Sequence, residues 1–126
     1  MEVGQNLPPM TFKAFDREQL KKFASAALDH NPIHLDEAFA KAAGFPTVIV
    51  HGMLSMSVLG EYVARTFPQW KIRKFEARFK MVTFPGDAPT CHAKVKSTEG
   101  GLVVNVWVEN QHDAGTLSGM VELIPA

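Results

Sequence analysis

The sequence predicts an α+β domain in which one long apolar helix packs against an antiparallel sheet. Three observations carry this. From Gly52 to Phe67 the chain has helical spacing and is apolar nearly all round as far as Leu59, so that helix must be wrapped by other elements. After it, Phe75, Ala77, Phe79 and Met81 alternate with Glu76, Arg78 and Lys80, and Cys91, Ala93 and Val95 alternate with His92, Lys94 and Lys96. Such a period of two belongs to half-buried strands. The turn signals Glu99-Gly100-Gly101 and Asp113-Ala114-Gly115 then divide the remaining apolar segments as hairpins do.

The elements follow in order. Asp16 is an N-cap with Gln19 three residues on, and Leu20, Phe23, Ala24 and Ala27 recur at helical spacing, which predicts a first helix from about Arg17 to Ala27. Asp36 caps a short helix through Lys41 to Ala43, with Gly44 as its stop and Pro46 beyond. The apolar helix from Gly52 carries Glu61 and Arg65 one turn apart and ends before Pro68. In the strand that follows, the alternation breaks phase near Arg73 and Lys74, which predicts a bulge there. The expected sheet is a meander of the strands after the helix.

A chain of 126 residues with 46% hydrophobic content makes one domain, here residues 1–126, with no repeat, linker or low-complexity tract to divide it. Thirteen basic and thirteen acidic residues cancel, so no overall field draws the chain to nucleic acid or to an anionic membrane. Cys91 is the only cysteine, which excludes an intrachain disulfide and any thiol-built zinc cluster. No apolar run approaches the length of a membrane span, and Met1-Glu2-Val3-Gly4-Gln5 has the character of no signal peptide, so cytoplasmic residence is expected.

The chemistry concentrates in Asp29-His30-Asn31-Pro32-Ile33-His34 and in His51-Gly52-Met53. Pro32 has no amide hydrogen and disfavours helical backbone at Asn31, so Asp29 and His34 sit on a fixed turn rather than on a helix face. A carboxylate and an imidazole converging there can transfer protons near neutral pH. Gly52 opens the apolar helix, and its amide is free to stabilise charge developing on a substrate oxygen. Taken singly, each residue has a plain alternative: Asp29 as a turn aspartate bonding nearby amides, His34 as a loop-holding histidine, and Gly52 as a glycine needed for unusual backbone angles.

These stretches resemble the (R)-specific enoyl-CoA hydratases, or MaoC-like dehydratases. The resemblance rests on Asp29, Asn31, Pro32, Ile33, His34, Leu35, Asp36, Ala38, Phe39 and Ala40, on Val50-His51-Gly52-Met53-Leu54, and on Arg78-Phe79 with Phe84-Pro85-Gly86-Asp87. Two positions depart from the family: Leu28 stands where glycine usually precedes the aspartate, and Met81 replaces a frequent proline. The resemblance implies a hot-dog fold and reversible hydration of a trans-2-enoyl thioester, carried by coenzyme A or acyl-carrier protein, with Asp29 and His34 handling water and proton and the Gly52 amide as oxyanion donor. Such a reaction needs no metal or redox cofactor, because a conjugated thioester already makes C3 electrophilic. The resemblance also implies a homodimer, or a multimer of dimers, with a sheet continuous across two protomers.

Leu28, Asn31, His51, Met53 and Ser57 are the expected substrate contacts. His51 is also expected to bond backbone and fix the turn before the helix, and a serine within a helix commonly bonds its own helix carbonyls. His30 reads as an exposed turn residue. Lys71, Arg73, Lys74, Arg78 and Lys80 form a basic run that is either a solvated strand face or, in part, a seat for coenzyme A phosphates. Two alternatives of other kinds accompany this reading: a thioesterase on the same fold, and a non-catalytic acyl-binding subunit of a heteromeric dehydratase.

Overall fold

The computed structural model describes residues 1–126. It contains β1 (Asn6–Thr11), α1 (Arg17–Ala27), a single 3-10 turn (Pro32–His34), α2 (Glu37–Ala42), α3 (Gly52–Thr66), β2 (Trp70–Phe79), β3 (Thr90–Ser97), β4 (Leu102–Glu109) and β5 (Gly115–Pro125). The helix boundaries agree with the local capping signals. The Asp16 carboxylate accepts the Gln19 amide at 2.7 Å, and the Asp36 carboxylate accepts the Phe39 amide at 3.1 Å.

All five strands form one antiparallel sheet in the order β1-β3-β4-β5-β2. This corrects the expected meander. β3, β4 and β5 follow one another, but β2 pairs with β5, because the loop after Phe79 carries the chain across the sheet before β3 begins. The bulge in β2 is present as a register shift between Ile72 and Lys74. β1 was not expected. Pro8 and Pro9 cannot donate to a ladder, and they sit where the register of β1 with β3 jumps between Leu7 and Met10, on an edge strand that tolerates them.

α3 lies against the inner face of the sheet. Leu59, Tyr62 and Val63 pack with Cys91, Ala93 and Val95 of β3, Val104 and Val106 of β4, and Leu117, Val121 and Leu123 of β5. The buried Tyr62 hydroxyl donates to the Pro8 carbonyl at 2.9 Å, an acceptor the irregular β1 leaves free. α3 is not wrapped on every side in the single chain: Met53, Ser57 and Glu61 are exposed. Its contact with β2 runs through glycines, since a Cβ on Gly52 would sit 3.2 Å from the Phe79 ring and one on Gly60 would sit 3.5 Å from the Phe75 ring. β2 ends at Phe79, so Phe79 and Met81 are about half exposed rather than continuing a buried face.

A smaller core of Phe15, Leu20, Ala40, Val48, Val50 and Leu54 sits beneath α1, α2 and the turn between them. It anchors the Asp29–His34 segment to the first turn of α3. No helix is long and apolar enough to cross a membrane.

Candidate active site

α1 ends at Leu28, whose backbone is left-handed at φ 55° and whose amide donates to the Ala24 carbonyl. This is the conformation glycine adopts most easily at a helix C-terminus, so leucine carries backbone strain there. The reversal turns the Leu28 side chain outward, where it is 81% exposed, and aims the chain into Asp29. The Asn31 carboxamide oxygen accepts the Ile33 amide at 3.1 Å and caps the 3-10 turn that carries Pro32 and His34.

His34 is fixed by its ring nitrogen. Nδ1 lies 2.8 Å from the Ile49 carbonyl, and a carbonyl can only accept, so Nδ1 bears the hydrogen and neutral His34 keeps its lone pair on Nε2. His51 is held in the same way, with Nε2 donating to the Asp29 carbonyl at 3.3 Å. The His51 ring is 1% exposed, stacks on the His34 ring with centroids 3.9 Å apart, and meets Phe23 on another side at 4.8 Å. Its remaining nitrogen, Nδ1, is buried without a partner. Burial pushes the His51 pKa down, and the neighbouring His34 pushes it the same way.

Polar atoms of Asp29, His34 and His51 lie within 4.8 Å of one another. One water bonded to two groups at ordinary lengths holds them roughly 4.5–5 Å apart, so Asp29 and His34 are close enough to share one. Two histidines and a carboxylate also have the composition of a metal site. Here His51 can offer only its buried Nδ1, which leaves Asp29 and His34 as accessible ligands, fewer than the three protein ligands of an ordinary catalytic zinc. Cys91 supplies no nucleophile, because burial in the core pushes its thiol up to about 12.

His34 and Gly52 both line a cleft of about 280 Å³, with Ile49, Ser55, Phe79, Met81 and Thr83 among its other walls. The amides of Gly52 and Met53 begin α3 with no acceptor in the protein, while those of Leu54 and Ser55 bond the His51 carbonyl. Gly52 is not at a positive φ, so unusual backbone angles do not explain it. Close approach does, and the group that approaches is the Phe79 ring.

The structure thus brings Asp29 close to His34 and puts His34 and Gly52 on one cleft, while Asp29 itself is not among the residues that line that cleft. It does not put Leu28, Asn31, His51, Met53 or Ser57 on the cleft. Leu28 is turned out by its left-handed backbone, Asn31 is used in its turn, and His51 lies beneath the pair. Met53 is 61% exposed on the open side of α3, and the Ser57 hydroxyl bonds the Leu54 carbonyl at 2.7 Å. Sequence reasoning missed Ile49 as the His34 acceptor and Phe79 as the wall over Gly52. Only the alternation of β2, which puts Phe79 on the face toward α3, pointed to the second.

A hot-dog domain with a carboxylate–imidazole pair at the head of its central helix is the class this architecture defines. The MaoC like domain profile matches residues 2–116, and the chain belongs to that family. It is 35% identical over 97 residues to the (R)-specific enoyl-CoA hydratase of Aeromonas caviae, a match covering 75% of this chain and 71% of that protein. It is 34% identical over 82 residues to 3-hydroxyacyl-thioester dehydratase X of Mycobacterium tuberculosis, covering 64% of this chain but only 29% of that longer protein. The solved (R)-hydratase from A. caviae superposes with a TM-score of 0.89 at 28% identity, covering 100% of this chain and 98% of the other. An R-hydratase from Pseudomonas aeruginosa also gives 0.89, at 27% identity, with 99% and 82% covered.

Proposed function

We propose that this chain is a lyase that adds water reversibly across the double bond of a trans-2-enoyl thioester to give the (R)-3-hydroxyacyl thioester. The observation that carries the reading is the free Gly52 amide sharing a cleft with His34, which has Asp29 within reach of a shared water beside it. The water oxygen bonds to C3 while one of its protons passes to the Asp29–His34 pair. The electron pair of the double bond moves toward the thioester carbonyl, where the Gly52 amide at the start of α3 stabilises the charge more than it stabilises the neutral ground state. The pair then returns a proton to C2 on the same face. The His34 tautomer suits this role, with Nδ1 committed to Ile49 and the Nε2 lone pair free.

The acyl group enters between Phe79, Met81 and the first turn of α3, where the walls are apolar. The working unit proposed is a homodimer. β2 is an unpaired edge strand, and exposed Ile72, Phe79, Met81 and Val82 follow its length and end, so a second copy pairing there would cover apolar surface and extend the sheet. The setting proposed is the cytoplasm, where a lone buried thiol stays reduced.

The test is loss of the enoyl-thioester absorbance of crotonyl-CoA on addition of purified protein, with free thiol followed in parallel and the product hand read by coupling to dehydrogenases of opposite specificity. Hydration to the (R) product without thiol release is the expected result. Thiol release from a saturated acyl-CoA would make the protein a thioesterase, and an (S) or racemic product would overturn the stereochemical assignment.

A further inference from the structure

The outer face of the sheet, opposite α3, carries a second and larger concavity of about 560 Å³ bounded by β2, β4 and β5. It meets the catalytic cleft where β2 ends, because Lys80 and Leu117 line both. Its charges are unevenly committed. Glu76 is paired with Lys74 at 3.1 Å, and Glu109 is engaged by the His92 ring at 2.7 Å. Farther along β2, Arg73 is paired with Glu122 at 2.7 Å. Arg78 and Lys80, which border the groove, form no ion pair. Trp107, stacked on His92 with centroids 5.1 Å apart and planes 5° apart, lines the groove beside Met120.

Two uncommitted cations beside an indole on a mixed polar and apolar groove match a nucleotide that carries several phosphates. We propose that this groove is the seat of the adenosine 3′-phosphate diphosphate end of coenzyme A, with the phosphates on Arg78 and Lys80 and the adenine against Trp107. The proposal rests on the thioester reading of the cleft and narrows it. An acyl-carrier-protein thioester has the same pantetheine arm but neither adenosine nor 3′-phosphate, so a groove built for them selects coenzyme A as the carrier. The strand alternation supports the route: Phe79 faces Gly52 inside, its neighbours Arg78 and Lys80 face outward, and a pantetheine arm leaving the cleft passes from one to the other around the end of β2.

The experiment compares binding of butyryl-CoA and butyryl-pantetheine by calorimetry. Both are saturated, so affinity is read without turnover. The proteins are wild type, a double variant with Arg78→Ala and Lys80→Ala, and Lys71→Ala, whose unpaired cation lies at the far end of β2. Wild type should bind the CoA thioester about tenfold more tightly than the pantetheine thioester, the size expected for two solvated charge contacts, with the gap shrinking in raised salt. The double variant should close the gap by losing affinity for the CoA thioester alone, and Lys71→Ala should keep it. Wild-type affinity for butyryl-CoA in the double variant would overturn the proposal. So would equal weakening toward both ligands, which would put the cations on the thioester itself. A retained gap in a protein that does not hydrate crotonyl-CoA would sink the lyase reading and leave the groove assignment standing.

Discussion

Replacing His51 separates two jobs that one buried ring performs. His51→Gln can keep a donor to the Asp29 carbonyl but loses the stack on His34; His51→Phe keeps an aromatic ring between His34 and Phe23 but leaves that carbonyl without its donor. The bond from His51 to the Asp29 carbonyl is only part-buried, so losing it costs about 0.5–1.5 kcal/mol, partly offset in the Phe variant by removing the unpartnered Nδ1. Both variants should lower kcat about tenfold while KM moves less than twofold, since about 1.4 kcal/mol of lost positioning corresponds to that factor. Both also remove a titration. Burial lowers the native pKa of His51 below its ordinary 6.5, so at lower pH the unfolded chain binds a proton that the native chain refuses. Its contribution to stability is therefore complete above 6.5 and is lost as pH falls from 6.5 toward the lowered native value. Across that window wild type should lose up to about 1.4 kcal/mol per pH unit relative to either variant. Urea unfolding of the three proteins between about pH 7.5 and pH 5 reads this difference directly. Parallel loss of stability in all three would refute the reasoning, because it would mean that His51 protonates as readily in the folded protein as in the unfolded chain.

Asp29→Asn and His34→Ala should each reduce crotonyl-CoA hydration by about 10²–10⁴-fold with melting temperature little changed; wild-type turnover in either variant would remove the pair from the mechanism. Gly52→Ala should push its methyl against Phe79, which can yield at its half-exposed strand end, so the protein folds but kcat falls more than the affinity for butyryl-CoA. Normal hydration by the folded variant would move the oxyanion donor elsewhere. Leu28→Gly should relieve about 1 kcal/mol of left-handed backbone strain, offset by the freer unfolded chain, so thermal melting should shift by only a few degrees. Its acyl chain-length profile should match wild type if Leu28 points to solvent in the working assembly, and should change if a partner subunit brings that side chain to the substrate. Tyr62→Phe should destabilise by about 1–2 kcal/mol through the stranded Pro8 carbonyl and leave kcat untouched, as urea unfolding and the hydration assay would show.

The helices were legible because their limits are local. Asp16, Asp36 and Gly44 cap within a few residues of the groups they satisfy, and Gly52 and Pro68 bracket α3. The bulge in β2 was legible for a similar reason, since a phase break is visible in the residues themselves. β1 was not, because Pro8 and Pro9 lack the amides that define a strand and only pairing with β3 makes them part of a sheet. Nor was the neighbour of β2, which depends on where a loop crosses rather than on any side chain in it. At the site, Pro32 and Asn31 announced the turn and so brought Asp29 near His34. The acceptor at Ile49, the ring of Phe79 and the stacking of His51 are contacts between distant segments, and the outward direction of Leu28 follows from a backbone reversal that its side chain does not favour.

The paired contacts of Gly52 with Phe79 and Gly60 with Phe75 limit where the chain can change length. Eight helical residues advance about 12 Å and four strand residues about 13 Å, so α3 and β2 are indexed to each other at two points. One residue inserted between the glycines would turn Gly52 by about 100° and slide it about 1.5 Å, taking its amide off the cleft even though every catalytic side chain remained. A deletion between Phe75 and Phe79 would instead exchange the inner and outer faces of the strand end and bring Lys80 toward the helix. Insertions should accumulate at the Gly100 and Asp113 turns, where added chain leaves both the indexing and the cleft walls intact.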